Sequence, residues 1–196
     1  MTYTKNNTVL IVDAARCGTT MLTGIIHLLG VPMFDENNVR RRTLEDLIII
    51  EALKSEKEIQ KVIEDRNKKY DIWGFKYPNL WKHPYTIQYL RDPIYFTIFK
   101  EPVSISLRRY RKCDHQRMRQ TLGYLLRSVN EYSSLGLNIN YLSYLNAVTR
   151  PERFVDEIIK IIGISPSPEQ IETAIDFIRP RVGYPKQRVK LWNKKL

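Results

Sequence analysis

Near its start the chain changes abruptly from a short apolar run to a loop of small residues, and then to a helix-like pattern. The apolar run covers residues 9–12, and residues 16–20 read Arg-Cys-Gly-Thr-Thr. From Met21 onward, apolar residues recur at helical spacing. An apolar run this short suits a buried strand, so the sequence predicts strand, loop and helix in succession. Backbone N–H groups at a helix start bind anions, which makes the loop a candidate phosphate site.

The loop departs from the pattern that binds ATP. An ATP-binding loop reads G-x-x-x-x-G-K-[ST], where the lysine reaches the terminal phosphates and Ser or Thr binds magnesium. Here Asp13 stands at the first glycine position and Thr19 at the lysine position. Gly18 and Thr20 keep the register, and the cation is Arg16, upstream of the missing lysine. A carboxylate at the loop entrance and the loss of that lysine argue against an ATPase.

The composition indicates one globular domain with a basic surface. The chain has 196 residues, of which 43% are hydrophobic and 27% charged, enough for a single domain with a hydrophobic core. We expect one domain over residues 1–196, in which the basic tail from about residue 181 is flexible. A net charge of +11 favours a polyanionic partner, such as a nucleotide, an anionic polymer or nucleic acid.

Cysteine usage and hydropathy predict the compartment. Two cysteines, Cys17 and Cys113, are too few for a disulfide framework, which indicates a reducing environment. The chain contains no run approaching the roughly 20 apolar residues of a membrane span. Its first residues also lack the apolar core of a signal peptide. We therefore expect a cytoplasmic protein without a membrane span.

Further apolar runs alternate with segments of helical spacing. Strands are predicted over residues 72–76, 94–99 and 137–145. Helices are predicted over residues 43–69, 103–110, 117–135, 151–162 and 169–180. Strands that alternate with helices predict an α/β fold, with a mainly parallel central sheet between two helical layers. A ligand of such a fold binds at the carboxyl ends of the strands.

Four motifs, taken in order, resemble the sulfotransferases that use 3′-phosphoadenosine 5′-phosphosulfate (PAPS). The loop at residues 16–20 is the first, and Lys76 at the end of a predicted strand is the second. The third is the run 100–102, Lys-Glu-Pro, and the fourth is the stretch from Tyr144 to residue 180. The resemblance covers most of the chain and is greatest to the small bacterial or viral type. It implies a three-layer α/β/α fold with P-loop NTPase-like topology.

The resemblance also assigns the donor site. It implies that the loop wraps the 5′-phosphosulfate without a metal, through Arg16, Cys17, Gly18, Thr19 and Thr20. Lys76 would contact the bridging region and stabilise charge on the leaving phosphate oxygen.

Recognition of the 3′-phosphate departs from the family pattern. Sulfotransferases carry an Arg at the end of a strand and a Ser on the following helix. Lys100 stands at the Arg position, so a point charge replaces a two-pronged guanidinium. Arg108 stands at the Ser position, and Ser106 lies two residues earlier. We expect these three residues to bind the 3′-phosphate.

The catalytic base is the least defined part of the pattern. Steroid and phenol sulfotransferases use a His where this chain has Pro78. Other members use a Glu from the segment after the first helix, and Glu36 or Asp35 fits that location. We predict Glu36, while His27 among apolar residues suits a structural role.

The leading hypothesis is a sulfotransferase that moves a sulfuryl group from PAPS to a hydroxyl or amine, leaving 3′-phosphoadenosine 5′-phosphate (PAP). The acceptor would be a small molecule or a glycan, and nucleic acid is the lesser alternative. A second hypothesis is a magnesium-dependent nucleotide-binding protein on a P-loop scaffold. A third is a non-catalytic relative that binds nucleotides or polyanions. The acceptor and the oligomeric state stay open.

Overall fold

The computed structural model describes residues 6–12 and 16–178, which form a parallel sheet between helices. The strands are β1 (Asn7–Ile11), β2 (Val39–Arg40), β3 (Glu45–Asp46), β4 (Ile72–Lys76), β5 (Ile94–Phe99) and β6 (Ile139–Ser143). Four of them form the central sheet in the order β4-β1-β5-β6, and every pairing in it is parallel. β2 and β3 form a separate antiparallel hairpin. The central strands are rich in β-branched and aromatic residues, which suit a buried pleated surface.

Helices connect the strands and cover both faces of the sheet. They are α1 (Thr19–Leu28), α2 (Leu47–Ala52), α3 (Glu56–Lys69), α4 (Pro102–Tyr110), α5 (His115–Ser134), α6 (Tyr144–Thr149), α7 (Pro151–Ile162) and α8 (Pro168–Ile178). Two short 3-10 segments, Leu80–Lys82 and Pro84–Tyr89, follow β4. None of the helices in the described ranges combines the length and apolarity needed to cross a membrane.

Alternate residues of the sheet enter two separate cores. Val9 and Ile11 of β1 pack with apolar residues of α1, α7 and α8. Leu10 lies on the other face, in a cluster with Trp73 and with residues of α3. This alternation is the period-two geometry of a strand that is buried on both sides. It confirms the predicted three-layer α/β/α fold with a parallel central sheet.

One predicted helix is wrong, because the segment 43–69 is divided into several elements. Its first residues belong to the β2–β3 hairpin, and Leu53 to Ser55 interrupt the helix. The Asp46 carboxylate starts α2 by accepting hydrogen bonds from the amides of Ile48 and Ile49. Asp46 also forms a buried ion pair of 2.8 Å with Arg66 of α3. The apolar residues keep helical spacing on both sides of the break. The sequence pattern therefore predicted one continuous helix.

The other boundaries follow the sequence more closely. The strands predicted over residues 72–76 and 94–99 are confirmed. The strand predicted over 137–145 is shorter, and α6 begins at Tyr144. There the Ser143 hydroxyl accepts a hydrogen bond from the Asn146 amide and so caps the helix. The expected end of the last helix near residue 180, and the basic tail beyond it, lie outside the described residues.

His27 lies at the margin of the core on the α1 side of the sheet, where it is half-buried. Its ring stacks on Phe34, with centroids 4.2 Å apart and planes 6° from parallel. The Met33 amide donates a hydrogen bond of 3.3 Å to Nδ1 of this ring. Burial lowers the pKa of His27 to about 4, because a charged imidazole would lose its hydration there. His27 is therefore neutral near pH 7, which agrees with a structural role.

We predict that Gly24→Ala destabilises the protein although alanine is the better helix former. A Cβ atom at Gly24 would lie 2.4 Å from Cε1 of Phe177, which is buried. Overpacking of this kind costs about 1–3 kcal/mol, which outweighs the gain of about 1 kcal/mol in helix propensity. The matched control is Gly123→Ala in α5, where a Cβ would meet nothing within 4 Å. Urea unfolding should give opposite signs for the two variants, and stabilisation by Gly24→Ala would contradict this packing.

We predict that His27 makes stability depend on pH in the acid range. Unfolded His27 takes up a proton below its usual pKa of 6.5, whereas the folded protein resists protonation down to about 4. The contribution is therefore complete above pH 6.5 and is lost as the pH falls towards 4, by about 3 kcal/mol at most. In His27→Asn, which keeps an acceptor for the Met33 amide, the free energy of unfolding should change less over this range. An unchanged slope in that variant would assign the pH dependence to other groups.

Candidate functional site

The loop after β1 ends in a glycine whose backbone starts α1. Gly18 has φ of 119°, a conformation that favours glycine. Its carbonyl accepts hydrogen bonds from the amides of Met21 and Leu22, at 2.9 and 3.1 Å. A Cβ atom at Gly18 would lie 2.7 Å from Cδ2 of Tyr144, so space as well as φ requires glycine. The first amides of α1 lack partners within the helix and carry its positive dipole end, which suits an anion.

Arg16 and Cys17 have different environments although they are adjacent. The Arg16 side chain is exposed, and its φ of 85° lies in the left-handed region. Cys17 is buried against Ile105 of α4 and Leu125 of α5. Its side chain therefore packs the loop against these helices, and only its backbone remains for a ligand in the loop.

Lys76 lies at the end of β4, beside the end of β1. It is paired in register with Ile11, and its side chain is buried. Its Nζ donates a hydrogen bond to the Thr43 carbonyl, to which the Thr20 hydroxyl also donates at 3.4 Å. The connection between β2 and β3 thus lies over the start of α1. The structure thereby brings together two of the predicted residues, Lys76 and Thr20.

Glu45 is the residue that the sequence interpretation missed. Its Oε1 lies 3.3 Å from the Lys76 Nζ, and its Oε2 lies 3.2 Å from Arg40 Nη1. Burial lowers the pKa of Lys76, while the Glu45 carboxylate opposes that shift by favouring the charged ammonium. The sequence assigned Glu45 to the first turn of a helix, where an acid commonly stabilises the dipole. Only the position of the hairpin reveals its contact with Lys76.

Glu36 lies elsewhere in the molecule. Its exposed carboxylate has Oε1 3.7 Å from Nε2 of His27. His27 is eight residues beyond Thr19, which is about 12 Å along a helix. The structure therefore sets Glu36 towards the far end of α1 and does not bring it to the residues of the loop.

On the other side of the loop, Lys100 lies directly after β5. Its Nζ is 4.5 Å from the centroid of the Tyr144 ring, a cation–π distance. Tyr144 begins α6 at the end of β6, and β6 pairs with β5. Because the same ring contacts Gly18, Tyr144 connects Lys100 with the start of α1.

The two remaining predicted residues lie on α4. Ser106 is buried, and its hydroxyl donates a hydrogen bond of 3.1 Å to the Lys112 carbonyl. The proton of that hydroxyl is thus used to hold the connection between α4 and α5. Arg108 is exposed on the same helix.

The sheet order sets two lysines on opposite sides of the loop. β1 lies between β4, which ends at Lys76, and β5, which precedes Lys100. All three strands are parallel, so their carboxyl ends meet at one edge. Helix amides between two cations can bind a ligand that carries anionic groups at more than one point.

Solved structures share this fold at low sequence identity. The sulfotransferase domain from the curacin biosynthetic pathway is 14% identical, with a TM-score of 0.55, over 85% of this chain and 76% of that one. A sulfotransferase from Mycobacterium tuberculosis H37Rv is 11% identical, with a TM-score of 0.51, over 88% and 71%. Retinol dehydratase, solved in complex with androsterone and inactive cofactor PAP, is 10% identical, with a TM-score of 0.50, over 89% and 64%.

These comparisons concern the fold, since the identities are so low. No family model and no curated protein matches the sequence. The chain spans 64% of the retinol dehydratase structure and 76% of the curacin domain. The resemblance that the motifs predicted is confirmed in three dimensions: the chain has the α/β fold of the sulfotransferases.

Proposed function

We propose that the protein is a sulfotransferase that moves a sulfuryl group from PAPS to a hydroxyl or amine acceptor. The observation that carries the proposal is the start of α1, which lies between Lys76 and Lys100 at the carboxyl edge of the sheet. This arrangement suits a donor with phosphate groups at both its 5′ and its 3′ positions. The sulfotransferase fold of the chain supports the same activity.

The loop residues are proposed to hold the 5′-phosphosulfate. Gly18 provides the φ of 119° with which the loop enters α1, and the amides of Thr19 and Thr20 are proposed to face the anion from the first turn of α1. Arg16 adds a charge from the loop, and Cys17 contributes its backbone because its thiol is buried. The PAPS molecule, when bound here, supplies the sulfuryl group.

Lys76 is proposed to stabilise the leaving group. A protonated Nζ neutralises the negative charge that develops on a phosphate oxygen during in-line transfer. Burial strengthens this interaction because the local dielectric constant is low. The Glu45 carboxylate helps Lys76 to keep its proton, since the carboxylate raises the lysine pKa that burial lowers.

Glu45 is also proposed as the base, in preference to Glu36. Its carboxylate is 3.3 Å from Lys76, whereas Glu36 lies beside His27. Glu45 would take the proton of the acceptor as a new bond forms from the acceptor's oxygen or nitrogen to sulfur. At the same time the bond from sulfur to the donor phosphate oxygen breaks, and Lys76 balances the charge on that oxygen.

Lys100, Ser106 and Arg108 are proposed to bind the 3′-phosphate. Lys100 is the best supported of the three, because Tyr144 holds its ammonium 4.5 Å above the ring. Arg108 supplies a second charge, which is exposed and lies between one and two helix turns after the start of α4. Ser106 could contribute only an acceptor lone pair while its proton remains bonded to the Lys112 carbonyl.

A second candidate function is binding of a nucleotide or polyanion without catalysis. Two observations favour it: the Ser106 hydroxyl is used by the α4–α5 connection, and Lys76 is already bonded to Thr43 and Glu45. Such a protein would keep the fold while its discrimination of the 3′-phosphate is lost. The two candidates therefore differ in how strongly removal of that phosphate weakens binding.

We predict that PAP binds at least about tenfold more tightly than 5′-AMP and does not require magnesium. The 3′-phosphate adds a charge-assisted contact with Lys100, and a difference of about 1.4 kcal/mol gives that factor. Calorimetric titration should compare PAP, 5′-AMP and magnesium-ATP. Lys100→Met should remove most of the difference, whereas Lys160→Met on α7 should preserve it. Equal affinity for the three nucleotides would contradict the sulfotransferase proposal and support the second candidate.

We predict that Glu45→Gln slows sulfuryl transfer by about 10²–10³-fold, within the range of about 10²–10⁴ expected for loss of a general base. The measurement is PAP release from PAPS with a pooled panel of hydroxyl and amine acceptors. Glu36→Gln is the matched control and should change the rate less than about threefold. The reverse ranking of the two variants would return the role of base to Glu36.

The same Glu45→Gln variant should alter the pH dependence of PAP affinity. PAP binding weakens as the pH rises through the pKa of Lys76, because the neutral amine no longer attracts phosphate. Without the Glu45 carboxylate the lysine pKa falls further, so the loss of affinity should begin at a lower pH. Titrations between neutral and alkaline pH test this shift, and Lys76→Met should abolish that part of the dependence. An unchanged profile in Glu45→Gln would mean that the two groups are not coupled.

A further inference from the structure

The connection between α4 and α5 concentrates positive charge on one exposed surface. Residues 109–119, which we call the basic turn, contain five Lys or Arg and a single acid, Asp114. Four of the five basic side chains are exposed, and Arg117 is half-buried. Asp114 pairs with Lys112 at 3.4 Å, and no other ion pair joins the basic turn to the described part of the chain. Most of its charge is therefore available to a ligand.

Hydrogen bonds hold the basic turn in one conformation. The buried Ser106 hydroxyl donates a hydrogen bond to the Lys112 carbonyl. The Arg111 amide donates a hydrogen bond of 2.9 Å to the Leu107 carbonyl. Asp114 begins α5 by accepting a hydrogen bond of 2.9 Å from the Arg117 amide. The cations are thus presented by a fixed backbone, which reduces the conformational entropy lost on binding.

Two arginines of the basic turn stack on tyrosines instead of pairing with acids. The Arg109 guanidinium is 4.5 Å from the Tyr124 ring, and that of Arg117 is 4.9 Å from the Tyr110 ring. Arg117 Nη1 also donates a hydrogen bond of 2.9 Å to Gln120 Oε1, and Arg117 Nε is buried, whereas Arg109 is exposed. Stacking fixes the plane of the Arg109 guanidinium and leaves its N–H groups along the edges. That geometry suits planar or tetrahedral anions such as carboxylates and sulfates.

Three of these charges lie at positions that are unfavourable for the helices that carry them. Arg117 and Arg119 lie in the first two turns of α5, where a cation opposes the helix dipole. Arg111 has φ of 60°, a position at which glycine would be less strained. Charges kept at positions unfavourable for the helices point to a role in binding.

We infer that the basic turn is the docking surface for an anionic glycan, which is the acceptor of the reaction. This inference rests on the proposed function. α4 begins two residues after Lys100, and its first residue precedes Arg109 of the turn by seven residues, about 10 Å along the helix. A polymer bound at the turn can extend over that distance to the transfer site, whereas a small acceptor would not need a distant anchor.

The tyrosines distinguish a glycan from single-stranded nucleic acid. Proteins that bind single strands stack bases on free aromatic faces. Here Arg109 and Arg117 lie over the rings of Tyr110 and Tyr124, so those faces are used within the protein. The surface therefore offers charge to a ligand and little base stacking, which fits carboxylated or sulfated sugars.

The test compares two variants of equal charge change. The first is the triple variant Arg111→Gln, Lys112→Gln and Arg119→Gln, which changes exposed residues of the basic turn. The control is Lys57→Gln, Lys61→Gln and Lys160→Gln, which changes exposed residues of α3 and α7. Both are titrated with a heparin decasaccharide, a neutral dextran of similar length and a single-stranded oligonucleotide of equal charge. PAP is titrated in parallel, because its binding reports on the donor site alone.

The basic-turn variant should bind the decasaccharide at least about tenfold more weakly, since three exposed ion contacts are lost. The control variant should lose less than about threefold, and PAP affinity should stay unchanged in both. Equal losses in the two variants would mean that binding follows net charge, which overturns a specific surface. Tighter binding of the oligonucleotide would overturn the choice of a glycan. Failure of PAP to bind the unaltered protein would contradict the proposed function, and that outcome is separate from either result with the glycan.

Discussion

Parallel pairing of β1 with β4 on one side and β5 on the other is the constraint on which the site depends. Because the strands point the same way, the loop after β1, Lys76 and Lys100 all meet at one edge of the sheet. The pairing is stable because β1 is buried on both faces and contributes alternate side chains to two cores. The two lysines lie at or directly after the carboxyl ends of β4 and β5, the edge at which parallel sheets bind ligands.

The hairpin of β2 and β3 adds a second level of organisation at that edge. Its backbone carbonyl at Thr43 accepts hydrogen bonds from Thr20 and Lys76, and its Glu45 forms an ion pair with the same lysine. A buried ammonium needs such partners, since desolvation of an unpaired charge is costly. Asp46 in turn attaches the hairpin to α3 through Arg66. Packing of α3 is thereby connected to the electrostatics around Lys76.

Local signals predicted much of this structure. β-Branched and aromatic runs located β4 and β5, and the glycine at 163, with φ of 73°, ended α7 as its position suggested. The segment 43–69 was wrong because helical periodicity persists through a break that depends on capping by Asp46. That cap is reinforced by Arg66, twenty residues away, and no local pattern contains such a contact.

The sequence by itself determined the strand, loop and helix at the start of the chain, the α/β class and the lysines at the strand ends. These follow from periodicity and from the conformational preferences of a few residues, which act over short distances along the chain. Only the tertiary structure decided which acid faces Lys76, because Glu36 and Glu45 occupy equally plausible positions in one polar segment. Glu45 contacts Lys76 because the hairpin lies over the start of α1, whereas Glu36 contacts His27. The position of the hairpin depends on buried contacts between residues far apart in sequence.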